Sequence, residues 1–121
     1  MKKILIVDDQ PDVKKLLKII LQSEDRVLLC ADSGEEAITL ARAERPDVIL
    51  LDVMMPGGMD GYQTTKILKS DPQTCGCAII AMTAKVQEQD RLAAFDAGAD
   101  DYLGKPFDMR ELQKKVADFL S

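Results

Sequence analysis

The sequence predicts an α/β chain, a single doubly wound parallel sheet of five strands with helices on both faces. Two observations carry that prediction. Short apolar runs alternate with stretches of helical periodicity five times along the 121 residues, which is the pattern of repeated βα units. Acidic residues also stand where strands stop: Asp8 and Asp9 end the run Ile4-Leu5-Ile6-Val7, and Asp52 ends Val48-Ile49-Leu50-Leu51.

The first strand is placed at Lys3 to Val7. Pro11 then occupies a natural first-turn position, and Val13, Leu16, Leu17 and Ile20 recur at the spacing of one inward helical face. The second strand runs from Arg26 to Ala31. Ser33 and Glu36 have capping-box spacing for a second helix, with Ala37, Leu40 and Ala41 inward and Pro46 past its end. The third strand, Val48 to Leu51, leads to a helix after Gly61 that turns Ile67 and Leu68 inward. The fourth strand is Ala78 to Met82, and its helix, near Val86 to Ala97, is closed by Gly98. A short fifth strand, Asp101 to Leu103, precedes a helix that begins at Asp108, has Glu111 three residues on and buries Leu112, Val116, Phe119 and Leu120. No repeat, low-complexity segment or linker interrupts the series, so residues 1–121 read as one domain.

Composition removes several function classes. A chain of 121 residues can bury a core without disulfides or a structural metal. Met1-Lys2-Lys3 leads straight into a four-residue apolar strand, too short for a signal peptide or a membrane span, so a cytoplasmic location is expected. The net charge is −5 with both signs interspersed, which offers no basic stripe to nucleic acid. Cys30 reads as core, and Cys75 and Cys77 as reduced thiols in a loop near a strand start, without zinc-ligand spacing. There is no histidine, so serine–histidine–aspartate triads, imidazole metal sites and a phosphohistidine carried by this chain are excluded. The chemistry is left to carboxylates, a hydroxyl and a lysine.

Open α/β sheets place their sites at the carboxyl ends of strands. If the strands ending in Asp8-Asp9 and Asp52 are parallel neighbours, their carboxylates converge. Each pair of charges about 5 Å apart then repels by roughly 3 kcal/mol at an effective dielectric near 20. Such a cluster calls for a cation.

Four motifs in order carry a resemblance over essentially the whole chain: Asp8-Asp9, Asp52-Val53-Met54-Met55-Pro56, Met82-Thr83-Ala84 and Lys105-Pro106-Phe107. Together they resemble the receiver domain of bacterial two-component response regulators. A lone strand-end aspartate is most often a helix cap or turn former; four motifs in register argue otherwise. The resemblance implies strand order 2-1-3-4-5, a flavodoxin-like fold, with Asp52 as phosphoacceptor. It implies Mg²⁺ held by Asp8, Asp9, Asp52 and the backbone carbonyl of Met54, with Thr83 and Lys105 approaching the phosphoryl oxygens from the side opposite the metal. A cis peptide is implied before Pro106.

The same resemblance implies partners: a histidine kinase or phosphotransfer protein as donor, and a downstream protein or output domain as target. The chain would be a monomer or a phosphorylation-dependent dimer, a switch rather than a conventional enzyme. Thr83 and Tyr102 are the implied switch pair. The readout face would comprise the fourth helix, fifth strand and fifth helix, with Lys85, Glu88, Asp90 and Arg91 at one end and Arg110, Lys114 and Lys115 at the other.

One departure matters. Gly57-Gly58 precedes Met59-Asp60-Gly61 where the family usually has a single residue, so the loop after the third strand has gained a residue and conformational freedom. Cys77-Ala78 stands where many relatives have a proline. Met54 and Lys85 occupy the positions that tune phosphate lifetime, and neither matches the polar and acidic pair of rapidly resetting members, so slow self-dephosphorylation is expected. Three other readings share parts of this pattern. A flavin carrier would need a Ser/Thr/Gly-rich first loop rather than Asp8-Asp9-Gln10-Pro11-Asp12, and a phosphatase of the haloacid dehalogenase type would need an aspartate at position 54. The third, a receiver that forms part of a longer regulator, stays open.

Overall fold

The computed structural model describes residues 1–55, 58–84 and 87–120. Strands and helices alternate in the order β1 (Lys2–Val7), α1 (Pro11–Leu21), β2 (Arg26–Ala31), α2 (Gly34–Glu44), β3 (Val48–Asp52), α3 (Gly61–Ser70), β4 (Ala78–Thr83), α4 (Glu88–Asp96), β5 (Asp101–Gly104) and α5 (Met109–Leu120). The sheet is parallel with order β2-β1-β3-β4-β5. This is the flavodoxin-like order that the resemblance implies.

Strand β1 explains the layering. Successive side chains of a strand point to opposite faces, and Ile4, Leu5, Ile6 and Val7 are all fully buried. Ile4 and Ile6 join Leu17, Leu21, Leu112 and Val116 beneath α1 and α5. Leu5 and Val7 join Ala37, Ile38, Ala41 and Leu68 beneath α2 and α3. A strand apolar on both sides belongs in the middle of a sheet covered on both faces. Truncating such a residue, Leu50→Ala for example, costs about 2–5 kcal/mol. Ala94 of α4 packs with Val53, Ala81 and Ala99 in a smaller cluster.

The helix ends depart in detail from expectation. Ser33 Oγ accepts from Glu36 N at 3.2 Å, but the Glu36 carboxylate accepts from Asp32 N, one residue before the position a capping box requires. A complete capping box forms at Asp60 and Gln63 instead. Asp108 opens α5 by accepting from the amides of Arg110 and Glu111, and Gly98, at φ +108°, follows α4.

Leu16 and Ile67, expected inward, are exposed. Helical spacing defines a stripe but not how much of it the sheet covers; Leu17 and Leu21 seal α1, with Val13 and Ile20 packed beside them. Cys30 is half-buried on the edge strand β2. Cys77, read as a loop thiol, is buried against the core shared with Ile79, and burial pushes its pKa up. Pro56, Gly57, Lys85, Val86 and Ser121 lie outside the described residues, so the expected start of the fourth helix at Val86 does too.

Candidate functional site

Val7 and Leu51 are register partners in adjacent parallel strands, so the residues that follow them emerge side by side. Strand β1 has β2 on one flank and β3 on the other, and the crevice at such a switch point is where ligands of doubly wound sheets bind. Carboxylate oxygens of Asp8, Asp9 and Asp52 all lie within 4.8 Å of one another there. Asp8 and Asp52 are buried, and Asp9 is exposed.

Each buried carboxylate is held at both oxygens. Asp8 Oδ1 accepts from Gln10 N at 2.9 Å, and Oδ2 accepts from Lys105 Nζ at 2.9 Å. Asp52 Oδ1 accepts from Met54 N at 3.1 Å, and Oδ2 lies 3.6 Å from Lys105 Nζ. The cluster is therefore not bare, and Lys105 does not stand clear of it: the ammonium bridges Asp8 and Asp52. Counted formally, three carboxylates against one ammonium leave an excess of two negative charges.

Burial raises the Asp52 pKa above its ordinary value, and the nearby Asp8 and Asp9 charges push the same way. The Met54 amide and the Lys105 ammonium oppose them without cancelling the effect. An acidic group held partly towards its neutral form by lack of solvation is one whose charge an added cation would stabilise. The donor set is all carboxylate oxygen, which suits a hard divalent cation and not a soft one.

The remaining residues are set by the strand ends. Thr83 is the buried last residue of β4, beside Met82, the register partner of Asp52. Its carbonyl accepts from Lys105 N at 2.7 Å, tying the start of the lysine's loop to β4. The Lys105–Pro106 peptide is cis. Met54 contributes an amide to Asp52, while its side chain is exposed. Tyr102 packs, like Tyr62, against the cluster of Val53, Ala81, Ala94 and Ala99. Burial, and then the Asp90 carboxylate, raises the pKa of both phenols.

Tyr62 and Gly61 were not singled out as functional residues by sequence reasoning. Their signal was position, the first two residues of the helix that follows the acidic strand end. Gly61 N donates to Val53 O at 3.2 Å, and a Cβ at this position would lie 2.5 Å from Asp52 O. Only glycine lets α3 press this closely on the end of β3. On the expected readout face, Arg91 pairs with Glu88 and covers the Phe95 ring at 5.6 Å, and Lys115 pairs with Asp101 at 3.0 Å.

Comparison with known proteins gives a consistent answer. Residues 4–117 match the family model described as the response regulator receiver domain. The chain is 40% identical over 116 residues to protein PilH of Pseudomonas aeruginosa, covering 96% of this chain and 95% of that one. It is also 40% identical over 119 residues to the alkaline phosphatase synthesis transcriptional regulatory protein PhoP of Bacillus subtilis. That match covers 98% of this chain but 48% of the relative, so the chain spans about half of PhoP. Among solved structures, a two-component response regulator from Clostridium difficile superposes with a TM-score of 0.89 at 33% identity, covering 99% of this chain and 96% of the other. The BeF3-activated DrrB receiver domain superposes with a TM-score of 0.88 at 32% identity, covering 99% and 97%. With its sheet order, its acidic crevice and a family match from residue 4 to residue 117, the chain belongs to the response regulator receiver domains of two-component systems.

Proposed function

We propose that Asp52 accepts a phosphoryl group from a phosphohistidine on a histidine kinase or phosphotransfer protein. An Asp52 carboxylate oxygen attacks phosphorus, the P–N bond breaks, and its electron pair leaves with the imidazole. The carrying observation is the meeting of Asp8, Asp9 and Asp52 oxygens within 4.8 Å. Asp8, Asp9, Asp52 and the Met54 carbonyl would hold Mg²⁺, which when bound neutralises charge between carboxylate and phosphoryl oxygens. Lys105, released from its carboxylate partners, and the Thr83 hydroxyl would then hold the phosphoryl oxygens.

The donor would dock along α1. Leu16 and Ile19 are exposed there, and a cavity of about 410 Å³ lined by Val13, Leu16, Ala84, Lys105, Pro106 and Phe107 adjoins them. Because Lys105 is both a wall of that cavity and a partner of Asp52, an apolar helix seated in it brings its phosphohistidine towards the acceptor. Phosphorylation adds nearly two charges and new acceptor oxygens. Thr83 would move towards them, Tyr102 would follow, and the α4–β5–α5 face would change for a downstream partner. With Met54 and Lys85 at the tuning positions, the phosphoryl group would persist for minutes or longer.

The near end-to-end match to PilH supports a regulator that signals by docking to a protein. The half-length match to PhoP supports the second reading, a receiver within a longer regulator; reading the coding frame past Ser121 separates the two. Phosphorylation itself is tested by incubation with acetyl phosphate and Mg²⁺ followed by intact-mass measurement. Wild type should gain one phosphoryl group and Asp52→Ala none; equal labelling of both would overturn the assignment.

A further inference from the structure

The first turn of α2 grips the loop that carries the additional glycine. The Glu35 carboxylate accepts from Met59 N at 3.3 Å, and Glu35 Oε1 lies 3.4 Å from the place a Cβ on Gly58 would occupy. One residue earlier, Gly34 is buried, and a Cβ there would stand 3.4 Å from Met59 Cβ and Sδ. Met59 in turn packs against the core cluster that contains Met55. At the strand end of the same connection, the Met54 amide donates to Asp52 Oδ1; at its helix end, Asp60 and Gln63 cap α3. The connection is thus tied at residues 54, 59 and 60, and the tie at 59 comes from another element.

Glycine loses more conformational entropy on ordering than other residues, and Met59 follows Gly58, which stands at φ +148°, so the contact from Glu35 helps hold Met59 in one position. We propose that Glu35 is a positioning residue for Asp52, its carboxylate pinning Met59 so that the lengthened loop presents the Met54 amide to the phosphoacceptor. This rests on Asp52 being the acceptor.

Two variants and two measurements test it. Glu35→Ala removes the acceptor, whereas Glu35→Gln keeps an amide oxygen for Met59 N and discards the charge. Without any phosphodonor, hydrogen exchange at the Met59 amide should speed up about three- to fivefold in Glu35→Ala, as expected for one lost hydrogen bond, and stay close to wild type in Glu35→Gln. The initial rate of labelling by acetyl phosphate with Mg²⁺ should fall by a similar factor in Glu35→Ala and be rescued by Glu35→Gln. Unchanged Met59 exchange in Glu35→Ala would overturn the grip. Faster exchange with an unchanged labelling rate would overturn the positioning role, and equal slowing in both variants would assign the effect to charge instead. An unlabelled wild type would overturn the acceptor assignment beneath the proposal, a failure distinguished by Met59 exchange that still responds to Glu35→Ala.

Discussion

The ammonium of Lys105 donates to Oδ2 of Asp8 at 2.9 Å, joining the loop after the edge strand β5 to the end of the interior strand β1. The same nitrogen lies 3.6 Å from Asp52 Oδ2, so one lysine balances two buried carboxylates. Removing one member of a buried ion pair leaves an uncompensated charge, which is costlier than never having had the pair. Lys105→Met should therefore lose about 3 kcal/mol of stability in metal-free buffer, the low end of the range for broken buried pairs. Added Mg²⁺ should recover most of the loss by replacing the missing positive charge. Urea unfolding of the variant with and without the ion checks both statements; a loss that Mg²⁺ leaves untouched would count against a cation site at these carboxylates.

The pH dependence follows from Asp52. Its folded-state pKa is raised, chiefly by burial, so the fold favours the protonated carboxyl. The stability tied to this group is complete below the ordinary value of 3.8 and is lost as pH rises through the raised folded-state value. Asp52→Asn is neutral throughout. It should be more stable than wild type at neutral pH in metal-free buffer, with the difference shrinking as pH falls towards and below 3.8. Paired urea titrations across that range measure the difference directly.

Gly61 presents a steric test. Its missing Cβ leaves room for the backbone of Asp52 and Val53, neither of which can swing aside as a side chain would. Gly61→Ala should cost about 1–3 kcal/mol, the usual penalty for overpacking, and should slow labelling of Asp52 by shifting the end of β3. Thermal unfolding and the initial labelling rate give the two readings.

Exposed Ile19 and Leu16 on α1 separate docking from chemistry. Substitution of Ile19 by glutamate should leave stability within about 0.5 kcal/mol, since the side chain is largely solvated. Labelling by acetyl phosphate should be unchanged. Transfer from a cognate histidine kinase should slow about tenfold, the equivalent of one moderate apolar contact. Equal slowing with both donors would place the effect at the acceptor instead.

Much of this was legible in the sequence because strands with two covered faces announce themselves. Ile4 to Val7 and Val48 to Leu51 are unbroken apolar runs, and the acids that end them could only emerge at the sheet's carboxyl edge. What the sequence concealed depends on contacts between distant elements. The Lys105–Asp8 pair spans 97 positions, and no local pattern fixes which oxygen an ammonium will find. Leu16 satisfied helical periodicity yet faces outward, because the stripe's width is decided by how the helix sits on the sheet. The cap at Asp60 and Gln63 had the same spacing as Ser33 and Glu36, but only geometry distinguishes a closed box from a half-closed one. Glu35 and Met59 stand 24 positions apart, so nothing local in the sequence announces the hydrogen bond that joins them.

The central claim is that one phosphoryl group is carried by the side chain at position 52. Acyl phosphates are reduced by borohydride, which converts a phosphorylated aspartate to homoserine and leaves a free carboxylate intact. After treatment with acetyl phosphate and Mg²⁺, reduction and peptide mapping should find homoserine at position 52 and aspartate retained at positions 8 and 9. Homoserine at another aspartate, or its absence from a protein whose mass shows it to be phosphorylated, would contradict the account.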